Sequence, residues 1–153
     1  MILEPDIRNG ARAIILRGRE LLLLRKENPL YGVRYALPGG SQDSGETLTQ
    51  TLVRECEEEI GVAVSNHQLI HVADYFKPRA TTPKSFRHVV EFLFSCTVPS
   101  QYEAKCGPKP DKHQTDVVWV ALSDLDEMPL NPRYLATILK SDTELPFYLG
   151  RIE

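Results

Sequence analysis

Apolar and polar positions along the chain follow two periods. Alternation or short apolar runs mark strands at residues 11–17 and 20–26, joined by a turn at Gly18, and again at 33–37, 69–76, 86–98 and 117–121. Within 86–98, Phe86, His88, Val90, Phe92, Phe94 and Cys96 fall on one face of an extended chain, and Arg87, Val89, Glu91 and Leu93 on the other. A charged residue in so apolar a strand requires a partner if it is buried, which singles out Glu91.

A helical period takes over between Pro38-Gly39-Gly40 and Gly61. At about 100° per residue with Glu55 at zero, Leu48, Leu52, Cys56 and Ile60 span a band from about 20° to about 140°. That band is the face that packs on a core. Glu59 falls inside it, Glu58 flanks Glu55 on the other side, and Gln50 and Glu57 point to solvent. Asp43 or Ser44 reads as the N-cap, Glu46 as a first-turn acid, and Gly61 as the left-handed residue after the helix. A closing helix is expected with Asn131 as N-cap, Pro132 as first position and its end at Lys140. Mixed strands with helices between and after them give an α/β class.

The acidic helix carries the candidate chemistry. Glu55, Glu58 and Glu59 stand at i, i+3 and i+4, so their carboxylates are neighbours and repel unless solvent or a divalent cation relieves them. Composition alone favours the solvated face. Upstream, Gly39 and Gly40 let the backbone approach a ligand closely, and a carbonyl there can serve a hard cation. Arg54 can pair in a fork with Glu46 or with a metal-binding carboxylate, orienting it without taking part in the chemistry.

Composition narrows the classes. A chain of 153 residues, 42% hydrophobic and without repeats, is expected to form one domain spanning residues 1–153. A net charge of −3 argues against a dedicated nucleic-acid binder. The acidic start Met1-Ile2-Leu3-Glu4-Pro5-Asp6 does not read as a signal peptide, and the leucine run at 21–24 is too short to span a bilayer, so no membrane role and a cytoplasmic location are expected. Cys56, Cys96 and Cys106 are odd in number and lack a CxxC spacing, so reduced thiols are the default. His67, His71, His88 and His113 are scattered and are not assigned to a metal.

Gly40, five residues, Glu46, seven residues, then Arg54-Glu55-Cys56-Glu57-Glu58-Glu59-Ile60-Gly61-Val62 resembles the signature of the Nudix hydrolases at every fixed position. Cys56 replaces the usual branched aliphatic and is expected to alter packing alone. The resemblance implies an α/β/α sandwich with a mixed sheet. It also implies a magnesium or manganese ion held by Glu55, Glu58, Glu59 and Gly40, with Glu55, Glu58, Arg54 and Glu46 as the catalytic set. The implied reaction is attack of water on a pyrophosphate attached to a nucleoside, with Glu55, Glu58 or a later carboxylate as base.

Substrate choice lies outside the signature. Pro78 stands near where relatives acting on ADP-ribose tend to carry a proline, which tilts the expectation toward ADP-ribose or a nucleotide sugar. Nucleoside triphosphates, dinucleoside polyphosphates and a non-catalytic nucleotide sensor are the alternatives. Tyr31, Tyr35, Tyr75, Phe76 and Phe86 are candidates to stack on a base. Lys77, Arg79, Lys84 and Arg87 form an acid-free stretch that either lies over substrate phosphates or is a solvated loop. Residues 99–115 form a long proline-bearing connection, read as a lid or a disordered segment, with Glu103, Asp111 and Asp116 as extra carboxylates. Relatives are frequently dimers, and a homodimer is compatible with the resemblance.

Overall fold

The structure is a computed structural model and describes residues 1–141 and 143–153. Its elements are β1 (Arg8–Arg17), β2 (Glu20–Asn28), β3 (Gly32–Ala36), β4 (Gly39–Ser41), α1 (Leu48–Ile60), β5 (Ser65–Arg79), β6 (Ser85–Thr97), β7 (Gln114–Ala121), a 3-10 helix (Leu122–Glu127), α2 (Leu135–Lys140) and β8 (Tyr148–Ile152). The sheet runs β3-β2-β1-β6-β5-β8, with β4 added on β1 and β7 on β2. It is mixed: β1 lies parallel to β6 and β5 parallel to β8, while the other pairs are antiparallel.

Helices cover both faces, and alternation along β1 and β2 feeds two cores. Ala11, Ala13, Ile15, Leu22 and Leu24 pack with Leu52, Cys56 and Ile60 of α1. Ile14, Leu21 and Leu23 pack on the opposite side with Leu125, Leu130 and Leu135. This is the expected α/β/α layering. Because both faces of these strands are buried, β2 reads as a continuous leucine run instead of an alternating one.

Two details differ from expectation. The N-cap of α1 is Thr47, whose hydroxyl accepts from the Gln50 N–H at 3.2 Å while the Gln50 side chain accepts from the Thr47 N–H at 2.8 Å. This reciprocal pairing satisfies two end donors at once, so the helix starts after Asp43, Ser44 and Glu46. α2 begins at Leu135, because the Asn131 N–H is bonded to the Tyr35 carbonyl at 2.9 Å and stays with the sheet. In agreement with the two faces read from the sequence, β6 has buried positions on both sides, Val89, Glu91 and Leu93 on one and Phe94 and Cys96 on the other, because helices cover both sides.

Gly61 ends α1 as expected, with φ 75° and its N–H on the Cys56 carbonyl. Three further end carbonyls of α1 are taken by the segment before β7. Gly107 and Lys109 donate from their N–H groups to the Glu59 and Glu58 carbonyls, both at 2.9 Å, and the Tyr102 hydroxyl donates to Ile60 at 2.7 Å. A Cβ at Gly107 would lie 2.4 Å from the Glu58 carbonyl oxygen, so only glycine lets the strap lie this close. The long connection is thus a cap on the acidic helix, a role its composition did not display. Among the described residues no helix is long and apolar enough to cross a membrane.

Candidate active site

The acids are distributed on α1 as the helical period dictates: Glu57 is exposed, Glu55 and Glu58 are partly buried, and Glu59 is 2% exposed. Arg54 organises the first of these. Its Nε lies 2.6 Å from Glu46 Oε2 and its Nη2 2.9 Å from Glu46 Oε1, the two-pronged geometry of a guanidinium on a carboxylate. Its Nη1 reaches Glu55 Oε1 at 3.0 Å and Glu58 Oε2 at 3.5 Å. Hydrogen bonds from Arg54, and next from the Asp43 N–H, pull the Glu46 pKa down to about 2.

Glu59 occupies a different environment. It turns into the protein and its Oε1 accepts from the Gly39 N–H at 2.8 Å. Burial pushes its pKa up to about 8, against that hydrogen bond and the positive charge of Arg12. Burial also raises Glu55, with Arg54 opposing. Gly40 leaves room for Glu55: a Cβ there would lie 2.5 Å from Glu55 Cδ and within 2.7 Å of both its oxygens. Among the described residues, no three His, Cys, Asp or Glu side chains gather as a ready metal cage. Arg54 spans Glu55 and Glu58, and Glu59 faces the glycine turn.

The other predicted cations separate. Arg79 and Arg87 converge on Glu4, at 3.5 and 2.9 Å, and Lys84 lies 5.3 Å from the Phe86 ring centre. None of the three lines the pocket beside the glycine turn and Arg12, whereas Lys77 does. That pocket lies on the α2 side of the sheet, walled by Leu37, Tyr75, Leu135 and Ile152, and its charged lining is Arg12, Lys26, Lys77 and Glu91. Glu91 has the required partner: Arg12 Nε is 3.0 Å from its Oε2, and Gly10 leaves space for that oxygen. Arg12 Nη1 also donates to the Gly39 carbonyl at 3.1 Å, so the glycine turn is held by Arg12 on one side and Glu59 on the other.

Arg12 and Lys26 were missed by sequence reasoning. The signal for Arg12 is the one that marked Glu91, a lone charge between Ala11 and Ala13 in a buried strand. Lys26 carries no such signal, since its role depends on an ion pair to Asp111, far along the chain on the strap. Of the other late carboxylates, Asp116 lies 3.9 Å from Arg25 and Glu103 is exposed. Among the aromatic candidates, Tyr75 lines the pocket, Phe76 packs against His88 at 4.7 Å, and Tyr31 is 43% exposed. Cys56 and Cys96 are buried in the α1 core as small apolar groups.

The fold, the glycine turn and the acidic helix with its arginine fork define a Nudix domain. Residues 6–140 match the NUDIX domain family, and the chain belongs to it. The chain is 27% identical over 140 residues to a putative 8-oxo-dGTP diphosphatase 3 of Mycobacterium tuberculosis, covering 90% of this chain and 57% of that one. It is 39% identical over 95 residues to an ADP-ribose pyrophosphatase of Methanocaldococcus jannaschii, covering 61% of this chain and 52% of that one. The chain thus spans little more than half the length of these curated relatives. A MutT NUDIX hydrolase from Burkholderia pseudomallei superposes with a TM-score of 0.69 at 26% identity, covering 90% of this chain and 99% of that one.

Proposed function

We propose that this protein is a pyrophosphohydrolase dependent on a divalent metal, acting on a nucleoside diphosphate linked to a second group. The observation that carries the reading is the Glu46–Arg54 fork extended by Arg54 to Glu55 and Glu58, beside a glycine turn whose missing Cβ makes room for Glu55.

The residues suit magnesium or manganese. The donors are all oxygens, the preference of a hard cation, and buried Glu59 sits against the glycine turn, its Oε1 accepting from the Gly39 N–H. Glu55, Glu58 and Glu59, with the Gly40 carbonyl, are the residues we assign to hold it. A bound divalent ion neutralises phosphate oxygens and makes a bound water more acidic. Arg54 orients Glu55 and Glu58, and Glu46 fixes Arg54 in turn. Proton abstraction from the attacking water falls to Glu55 or Glu58. The pocket beyond the glycine turn, with Tyr75 in its wall, receives the group attached to the phosphates.

Among substrates we favour ADP-ribose or a nucleotide sugar, supported by Pro78 and by the likeness to the archaeal ADP-ribose pyrophosphatase. A nucleoside triphosphate is the second reading, favoured by the longer alignment with the mycobacterial relative. The free cysteines agree with a cytoplasmic location. A product-resolved screen of ADP-ribose, nucleotide sugars, dinucleoside polyphosphates and nucleoside triphosphates with added magnesium or manganese tests the proposal. Cleavage within a phosphate chain supports it, and no turnover of any of these compounds removes it.

A further inference from the structure

The charges lining the pocket on the α2 side of the sheet single out one residue. Arg12 is committed to Glu91 and to the Gly39 carbonyl, and Lys26 is committed to Asp111. Lys77, on the same face of β5 as Tyr75, lines the pocket with no hydrogen-bond or ion-pair partner among the described residues. The two carboxylates available to it are thus already neutralised by other cations. A partly buried ammonium lacking a counterion is unfavourable unless a ligand supplies the opposite charge.

We propose that Lys77 is the anion anchor of this pocket, holding a phosphate group of the ligand beside Arg12 and Lys26. The inference rests on the reading of this pocket as the place of the substrate, and it adds the residue that selects for charge there. Electrostatics agree with the geometry: burial, then the positive Arg12 and Lys26, bring Lys77 down to about 8, against the pull of Glu91 and Asp111. Tyr75 is the other titratable group on this wall. A compact phosphate suits a lysine because the ammonium acts as a point charge with three donors and needs no planar match. Two sources share this chemistry, the diphosphate that is cleaved and a terminal phosphate on the attached group.

The test uses the full chain without metal, so that it does not depend on turnover. Inorganic pyrophosphate and ribose 5-phosphate are titrated calorimetrically, and the lysine side-chain carbon resonances are followed through the titration. We expect saturable binding that moves the Lys77 resonance. Lys77→Met should weaken the tighter anion about tenfold or more, the loss typical of a charge-assisted contact, whereas Lys77→Arg stays within about threefold and Lys84→Met has no effect. Tighter pyrophosphate assigns Lys77 to the cleaved diphosphate, and tighter ribose 5-phosphate to a terminal phosphate. Equal binding by the native protein and Lys77→Met, or a Lys77 resonance indifferent to both anions, overturns the proposal. With an active substrate, Lys77→Met should raise KM about tenfold while leaving kcat within about threefold. Retained anion binding in a protein that hydrolyses nothing would count against the hydrolytic reading alone.

Discussion

Arg54 holds Glu46, eight positions before it, by two nitrogens on two oxygens, at 2.6 and 2.9 Å. The same guanidinium then reaches Glu55 at 3.0 Å, so one side chain ties the loop before α1 to the acidic edge of the helix. A lysine cannot reproduce this, having a single charged nitrogen in place of a planar fork. Arg54→Lys should therefore lower kcat/KM by about ten- to a hundredfold with thermal unfolding little changed, the usual cost of losing a group that orients a metal-binding carboxylate. Steady-state kinetics across a magnesium titration, together with a melting curve, would show it.

Glu57 and Glu58 are neighbours with opposite surroundings, the first exposed and the second within 3.5 Å of Arg54. Glu58→Gln should lose about a hundredfold or more in kcat, as when a few kcal/mol of transition-state charge stabilisation disappears, and Glu57→Gln should remain near wild type. Equal kinetic effects from both substitutions would remove the catalytic face from the helix.

Gly40 tests the same edge from the backbone side. Its φ is not in the left-handed region, so alanine is permitted by the main chain, but the added methyl meets the Glu55 carboxylate at 2.5 Å. Gly40→Ala should displace Glu55 and weaken both metal binding and turnover while the sheet stays folded. Calorimetric titration with manganese and circular dichroism distinguish the two effects.

Away from the site, Asp74 is bonded to the Tyr148 hydroxyl and to His88 Nε2, the latter at 2.6 Å. These bonds, Tyr148 first, lower its pKa from the ordinary 3.8, so the folded protein binds this proton more weakly than the unfolded chain does. The stabilisation is fully present above about pH 4 and is lost as pH falls through the depressed folded value. Asp74→Asn should cost about 1 kcal/mol at neutral pH, shrinking in acid, with kcat unchanged. Urea unfolding at several pH values measures the difference.

Much of the site was legible in the chain because helix geometry is local. Spacing alone separated exposed Glu57 from buried Glu59, and the Arg54 contact with Glu46 spans barely two turns of chain. Alternation likewise located β1, β2, β3, β5, β6 and β7 but not the short β4 or β8, and the lone charge in an apolar run flagged Glu91. The N-cap was misplaced because Asp43, Ser44 and Thr47 are all competent cappers, and the choice rested on which had Gln50 at the right distance.

What the sequence determined, then, was each element's period, the acid constellation on one helix and the family it belongs to, since these depend on residues within a few turns of one another. The tertiary structure decided the rest. It set Arg12 on Glu91 across 79 positions and Asp111 on Lys26 across 85, leaving Lys77 as the cation of the pocket without a partner among the described residues. It also turned Arg79 and Arg87 toward Glu4. Coulomb pairing acts over a few ångströms of space, whatever the separation along the chain, and only strand order and register bring those side chains within that range.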